Sequence, residues 1–148
     1  MPDLTTFDML ALHPLLADLP TAWLRRLTAH ARPVDHGRGQ RLFRAGAPIE
    51  LVWLVYSGHV LLDLAVPGRG DVVVDRCEEF VGWAALVRAR RWDFGGVVGD
   101  DLYAVEFHAA GLRDQLADDP DLRCELYARL LTVADGGLLA TRRRLPLP

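Results

Sequence analysis

The sequence lacks most of what marks a catalytic, secreted or membrane-bound chain. It has no lysine, so its 17 basic residues other than histidine are all arginine. We assign that bias no mechanism, although arginine is the better fork where an anion is to be held. With a formal net charge of -3 over 148 residues, the chain lacks the positive excess of a general nucleic-acid-binding surface. No apolar run reaches the roughly 18 residues that a membrane-spanning helix requires. No basic segment precedes an apolar stretch at Met1-Pro2-Asp3-Leu4, which argues against a signal peptide and for a cytoplasmic location.

The reactive side chains are as sparse. Cys77 and Cys124 are far apart and form no CxxC pair. They read as two small buried apolar residues in a reducing compartment, not as a disulfide or redox couple. His13, His30, His36, His59 and His108 are scattered without HxH or HExxH spacing, so no metal site is expected. Ser57 is the single serine and no GxSxG surrounds it, which leaves a Ser-His-Asp arrangement without support. The chain is expected to be non-enzymatic.

What is there is a core. The composition is 51% hydrophobic, enough for one domain over residues 1–148. Residues 7–31 read as helical, with Asp18-Leu19-Pro20 as a break and Thr21 as an N-cap. Trp23, Leu24 and Leu27 make the apolar face of this stretch, and Arg25 and Arg26 its wet side.

From 34 to 107 the signals are short strands and glycine turns. Leu42-Phe43 is one strand, and the apolar run Leu51 to Tyr56 suits a strand buried on both faces. Ser57-Gly58 reads as a hairpin turn. Val60, Leu62, Leu64 and Val66 alternate with Leu61, Asp63 and Ala65, which predicts one inward face. Pro67-Gly68-Arg69-Gly70 is a turn, Val72-Val73-Val74 a returning strand, and Leu102 to Phe107 the last strand.

Residues 109–143 return to helix, short from Ala110 to Ala117 and then long after Asp118-Asp119-Pro120. Leu126, Leu130, Val133, Gly137 and Ala140 form a stripe able to pack on the roll or pair with a second copy. Gly136-Gly137 predicts a kink or an early end, at up to about 1 kcal/mol per glycine relative to alanine. Arg142-Arg143-Arg144 reads as a solvated tail. The predicted fold class is mainly β with flanking α-helices: a double-stranded β-helix, or jelly roll, with N-terminal helices and a long C-terminal helix.

One segment carries a resemblance. Gly39-Gln40-Arg41-Leu42-Phe43-Arg44-Ala45-Gly46-Ala47-Pro48-Ile49-Glu50, followed by Leu51 to Val60, resembles the first half of a cyclic-nucleotide-binding domain of the catabolite activator (Crp/Fnr-like) family. Gly46 to Gly58 is its most specific part, and the order of elements extends the resemblance over most of the chain. In DNA-binding relatives a helix-turn-helix domain follows the long helix; here no DNA-binding domain is expected.

The resemblance implies a ligand inside the roll, against a phosphate-binding cassette of turn glycine, short helix and arginine. A helix start favours an anion, and an arginine fork neutralises the phosphate. Phe80-Val81-Gly82-Trp83-Ala84-Ala85-Leu86 resembles that cassette. Gly82 matches the turn glycine, and Ala84, Ala85 and Leu86 the short helix. Trp83 stands where the family has a glutamate; an indole has one donor and no acceptor, so it cannot accept from a ribose hydroxyl.

Arg88, Arg90 and Arg91 lie near the expected arginine, with Arg91, followed by Trp92, the best match. Asp93 takes the place of a small hydroxyl residue and repels a phosphate unless a cation intervenes. It is expected to pair with Arg91. Gly95-Gly96 also depart from the pattern. The candidate ligand-binding residues are therefore Gly82, Trp83, Ala84, Ala85, Arg91 and Asp93. The backbone N–H groups of Ala84 and Ala85 would face an anion, Arg91 would be its counter-charge, and Trp83 an aromatic wall. A cyclic nucleotide is the ligand the resemblance implies. The departures point instead to an empty or repurposed pocket.

Two functions stay open. One is a non-catalytic regulatory sensor or adaptor that takes a small anionic or planar ligand and repositions the last helix toward a protein partner. The other is a structural or interaction module with a closed pocket, filled by Trp83, that dimerises through that helix. A cupin-type metal enzyme would need a His-x-His that is absent.

Overall fold

The computed structural model describes residues 3–144, with side chains described over 3–134. Two helices lead in. Helix α1, Thr6–Leu12, begins at Thr5, whose hydroxyl accepts from the Asp8 N–H while the Asp8 carboxylate accepts from the Thr5 N–H, each at 3.1 Å. This reciprocal box satisfies two donors that a helix start otherwise leaves orphaned. Helix α2 spans Thr21–Thr28. Thr21 is its first helical residue and not the expected cap: extended Pro20 holds that position, and its carbonyl accepts from Trp23 and Leu24. Residues 13–18 form turns between the helices, and Ala31 already belongs to a strand. The expected helical stretch 7–31 is therefore two helices around a turn, and it ends before Ala31.

Six strands follow: β1 Ala31–His36, β2 Arg41–Phe43, β3 Leu51–Val66, β4 Gly70–Cys77, β5 Phe80–Val81 and β6 Gly95–His108. All pairings are antiparallel. The sheet order is β1-β6-β3-β4, with β2 also on β6 and β5 also on β3. Helices α3, Ala109–Ala117, and α4, Pro120–Arg144, close the chain. The fold is the expected mainly β roll with flanking helices.

The period of two along β3 explains the layering. Val52 and Leu54 join a core packed against the helices, whereas Trp53 and Val55 join a second core inside the roll. On β6, Val105 and Phe107 face the helices while Leu102 and Ala104 face inward. The run Leu51 to Tyr56 is thus covered on both sides, as its composition predicts.

Ser57-Gly58 does not turn the chain. Strand β3 runs straight through it, and its register against β6 shifts at Val55/Ser57, Ser57/His59 and His59/Val60. Gly58 has a φ of 82°, and a Cβ there would run into the Asp101 carbonyl oxygen. A bulge at close approach demands glycine as firmly as a turn does. The inward face of the second half of β3 also departs from simple alternation. Asp63 is buried while Leu64 and Val66 are only half-buried, because the register against β4 shifts between Leu62 and Asp63. Arg41 meets the Asp63 carboxylate with both terminal nitrogens, at 3.2 and 2.7 Å.

Helix α4 continues through Gly136-Gly137 to Arg144 without the expected end. Glycine lowers helix propensity but keeps the backbone donor that proline would remove. Leu122, Leu126 and Leu130 of α4 are buried, each contributing about 1.5–3 kcal/mol relative to exposure. The expected stripe is therefore right for Leu126 and Leu130, while the side chains of Gly137, Ala140 and Arg142 to Arg144 lie outside the described residues. Cys124, expected to be buried, is exposed on α4; Cys77 is partly buried, and both are free thiols.

Candidate functional site

The candidate site is a cavity of about 400 Å³ at the mouth of the roll. It is built where two chain segments lock together. The stretch around Gly46 and the stretch around Trp92 exchange backbone bonds: Gly46 N–H to the Trp92 carbonyl (2.8 Å), Trp92 N–H to the Ala47 carbonyl (2.9 Å) and Ile49 N–H to the Arg90 carbonyl (3.0 Å). The turn that carried the sequence resemblance thus fixes the position of the arginine segment.

Of the six candidate residues, Gly82, Trp83, Ala84, Arg91 and Asp93 line this cavity. Ala85 does not; it is fully buried in the core on the helix side. Gly82 adopts φ 87° and ψ 13°, and the following residues, Trp83–Leu86, form one short 3-10 helix. A Cβ at Gly82 would lie 2.7 Å from Trp92 Cη2 and 2.9 Å from Val52 Cγ1. Both the left-handed backbone and the close approach require glycine there.

The short helix is engaged on several sides. The Ala85 N–H donates to the Gly82 carbonyl at 3.0 Å, so it is not aimed at a ligand as expected. Arg113 of α3 donates to the Ala85 carbonyl at 2.7 Å, and the Tyr127 hydroxyl of α4 donates to the Leu86 carbonyl at 3.3 Å. The cassette-like segment is therefore bonded directly to both closing helices.

The charges at the mouth are paired differently from the sequence expectation. Asp93 bonds Arg90 at 2.8 Å, and not Arg91. Arg91 donates to the Gly46 carbonyl at 2.9 Å and is exposed. The residue spacing explains the difference: the backbone ladder with Gly46 to Ile49 turns the Arg91 side chain onto that turn and leaves Arg90 beside Asp93. A phosphate in the cavity would have to displace one of these contacts.

Aromatic rings occupy the interior. Trp92 stacks on Phe43 with centroids 3.6 Å apart, and Trp53 lies behind them, 5.9 Å from Phe43 and 6.3 Å from Trp92, all within 19° of parallel. Trp53 anchors the stack by donating Nε1–H to buried Glu106 at 3.1 Å; Glu106 also accepts from Arg32 Nε at 2.6 Å. The ring over Gly82 is thus Trp92, not Trp83. Trp83 lines the wall and packs partly on the helix-side core. Sequence reasoning missed Phe43 as part of the site, and it set Arg90 near the expected arginine but chose Arg91. For Phe43 the signal is the pairing of β2 with β6, which no local motif announces. Cys77 also lines the cavity, and burial pushes its thiol pKa up, which holds it in the protonated, unreactive form.

No family model matches the chain, and no curated protein matches it. Solved structures do. The N-terminal domain of a transcriptional regulator from Streptomyces coelicolor A3(2) superposes with a TM-score of 0.67 at 21% identity, over 90% of this chain and 95% of that one. A cyclic nucleotide-binding domain from Methylobacillus flagellatus KT gives 0.73 at 17% identity, over 95% and 80%. A cAMP-binding acyltransferase from Mycobacterium smegmatis gives 0.73 at 24% identity; the match covers 91% of this chain and 41% of the enzyme. At these identities the likeness is one of architecture, and the chain has the fold of a cyclic-nucleotide-binding domain.

Proposed function

We propose that the chain is a non-catalytic regulatory sensor or adaptor whose roll takes a small planar ligand and does not hold cyclic AMP in the usual way. The observation that carries this reading is the Trp92-Phe43 stack over Gly82. It fills the roll with flat apolar surface, while Arg90 and Arg91 are already bonded to Asp93 and to the Gly46 carbonyl. Such a lining favours a flat, weakly charged molecule over a phosphodiester. Trp83 and Trp92 would be its aromatic walls. Arg91 would act as counter-charge only after leaving Gly46, and the Ala84 N–H would be the remaining backbone donor of the expected pair.

The output would run through the bonds from Arg113 to Ala85 and from Tyr127 to Leu86, which couple the cassette-like helix to α3 and α4. Exposed Leu131, beside buried Leu130 on α4, supports a homodimer or a protein partner on that helix. We place this activity in the cytoplasm, without nucleic acid; no helix among the described residues is long and apolar enough to cross a membrane.

The test is a thermal-shift titration with cyclic AMP, cyclic GMP and the neutral base adenine at millimolar concentration. A ligand at 100 times its Kd stabilises by about 2.7 kcal/mol, a rise of roughly 5 to 15 °C in a domain of this size. The reading expects a saturable rise with adenine and none with the cyclic nucleotides. A rise with cyclic AMP that Arg91→Ala abolishes overturns it. The second reading, a closed interaction module, draws on the same filled interior; it expects no rise with any of the three and an oligomeric state that ignores them.

A further inference from the structure

We propose that the groove between α1, the turn after it, α4 and the Glu78-Glu79 corner is a second ligand site, which takes a small organic cation with an apolar body. The groove encloses about 700 Å³, within the range of pockets that bury a drug-sized molecule. It shares no lining residue with the roll cavity, so it stands apart from the function proposed above.

Its apolar wall is Met9, Leu12, Leu15 and Val133. Its polar groups are almost all satisfied internally. The Leu15 N–H donates to His13 Nδ1 and His13 Nε2 donates to the Val55 carbonyl, each at 3.0 Å, which uses both ring nitrogens of a neutral imidazole. Burial lowers the His13 pKa and keeps that ring uncharged near neutrality. The Tyr56 hydroxyl donates to the Met9 carbonyl at 2.6 Å. Arg129 is spent on the Leu15 and Ala17 carbonyls and on Glu125. Glu78 pairs with Arg76 at 2.6 Å.

Glu79 is the exception. Its backbone carbonyl is fixed by the Val55 N–H at 2.7 Å. Its side chain is exposed at the groove rim, close enough for its charge to act on His13, with no ion-pair or hydrogen-bond partner among the described residues. An unpaired carboxylate at the rim of an apolar groove attracts a cation and repels an anion. Aromatic rings stand beside it. His13 and Tyr56 meet edge to face at 4.8 Å, Tyr56 and Tyr103 at 6.1 Å, and all three line the groove. Ring faces set at such angles attract an ammonium by their quadrupoles. One carboxylate, an aromatic corner and an aliphatic floor together describe an amine with an apolar tail.

Amide chemical-shift mapping with a matched trio tests this: 4-phenylbutylamine, 4-phenylbutanol and 4-phenylbutyrate. The amine is expected to bind saturably in the millimolar range, moving the amides of Leu12, His13, Glu79 and Tyr103, about tenfold more tightly than the alcohol and with the carboxylate weakest. Glu79→Gln, which removes no internal side-chain bond, brings the amine down to the affinity of the alcohol and leaves the alcohol unchanged. Leu12→Lys places a cation at the exposed rim and weakens the amine more than the alcohol. Equal affinity for amine and alcohol, an amine indifferent to Glu79→Gln, shifts centred on Trp83 and Trp92, or no saturable binding of the amine overturns the proposal.

Discussion

Trp92 lies flat on Phe43, 3.6 Å between ring centroids and 8° from parallel, although one side chain comes from the mouth segment and the other from β2. The stack joins two parts of the chain that only the roll brings together. Trp92→Ala removes the upper ring and leaves a cavity, at an expected cost of about 2–4 kcal/mol by urea denaturation, since Trp92 is only partly buried. A double-mutant cycle with Phe43→Leu is expected to give a coupling of about 0.5–1.5 kcal/mol. A coupling near zero would mean that the rings stack without stabilising each other.

Gly58 and Gly46 share a positive φ, 82° and 87°, but differ in surroundings. A methyl at Gly46 meets open space, whereas at Gly58 it strikes the backbone of Asp101. Gly46→Ala is expected to cost about 1 kcal/mol from backbone strain alone. Gly58→Ala adds a clash that only backbone movement relieves, for about 3 kcal/mol or more. Melting curves of the two variants check the order, and equal costs would remove the bulge from the argument.

The Arg41-Asp63 pair ties β2 to β3. Its hydrogen bond to Asp63 is the chief reason the Arg41 pKa is raised. Asp63→Ala leaves a partly covered guanidinium with only the exposed Asp71 carboxylate, at 3.5 Å, and is expected to cost about 2–4 kcal/mol in chemical denaturation. The paired replacement Arg41→Met with Asp63→Leu is expected to recover most of that loss, because apolar groups of similar size replace the pair without stranding a charge.

His13 gives a pH dependence. Burial, the largest influence, lowers its pKa below 6.5, opposed by the bond to Val55 and by the charge of Glu79. Glu78 and Tyr56 also face it in the groove, and Tyr56 stays protonated because burial raises its pKa. Between the lowered pKa and 6.5 the unfolded chain binds more protons than the folded one. Stability is thus full above 6.5 and is lost as pH falls below that value, levelling off under the folded pKa. His13→Gln is expected to flatten this part of the stability profile. An unchanged slope would assign it to other groups.

Much of this was legible in the residues. The Leu51 to Tyr56 run announced a strand covered on both faces, and the Gly46 and Pro67 to Gly70 turns fall where glycine and proline place them. The errors share one cause. Ser57-Gly58 has the chemistry of a turn, yet the approach of Asp101 from β6 decides that the strand continues. Thr21 looks like a cap because the spacing fits, but Pro20 already supplies the extended residue. Arg91 was the better motif match, while the ladder with Gly46 hands Asp93 to Arg90. Trp83 and Trp92 are chemically equal in sequence; only the position of Phe43 selects the one that stacks. Local patterns specify elements, and distant neighbours specify which side chain reaches the cavity.

Strand β3 also sets the order in which the molecule assembles. It pairs with β4 through the tight turn at Pro67 to Gly70, so that hairpin can zip at once. Its pairing with β6 joins Leu51 to His108 and cannot begin until most of the chain is in hand. Strand β1, whose sheet partner is β6, waits longer, with Ala31 opposite Phe107. Loop closure of this length is entropically slow. The nascent chain therefore carries a finished β3–β4 hairpin with an unpaired, strongly apolar edge until β6 arrives, which makes that interval the moment when it is most exposed to misassociation.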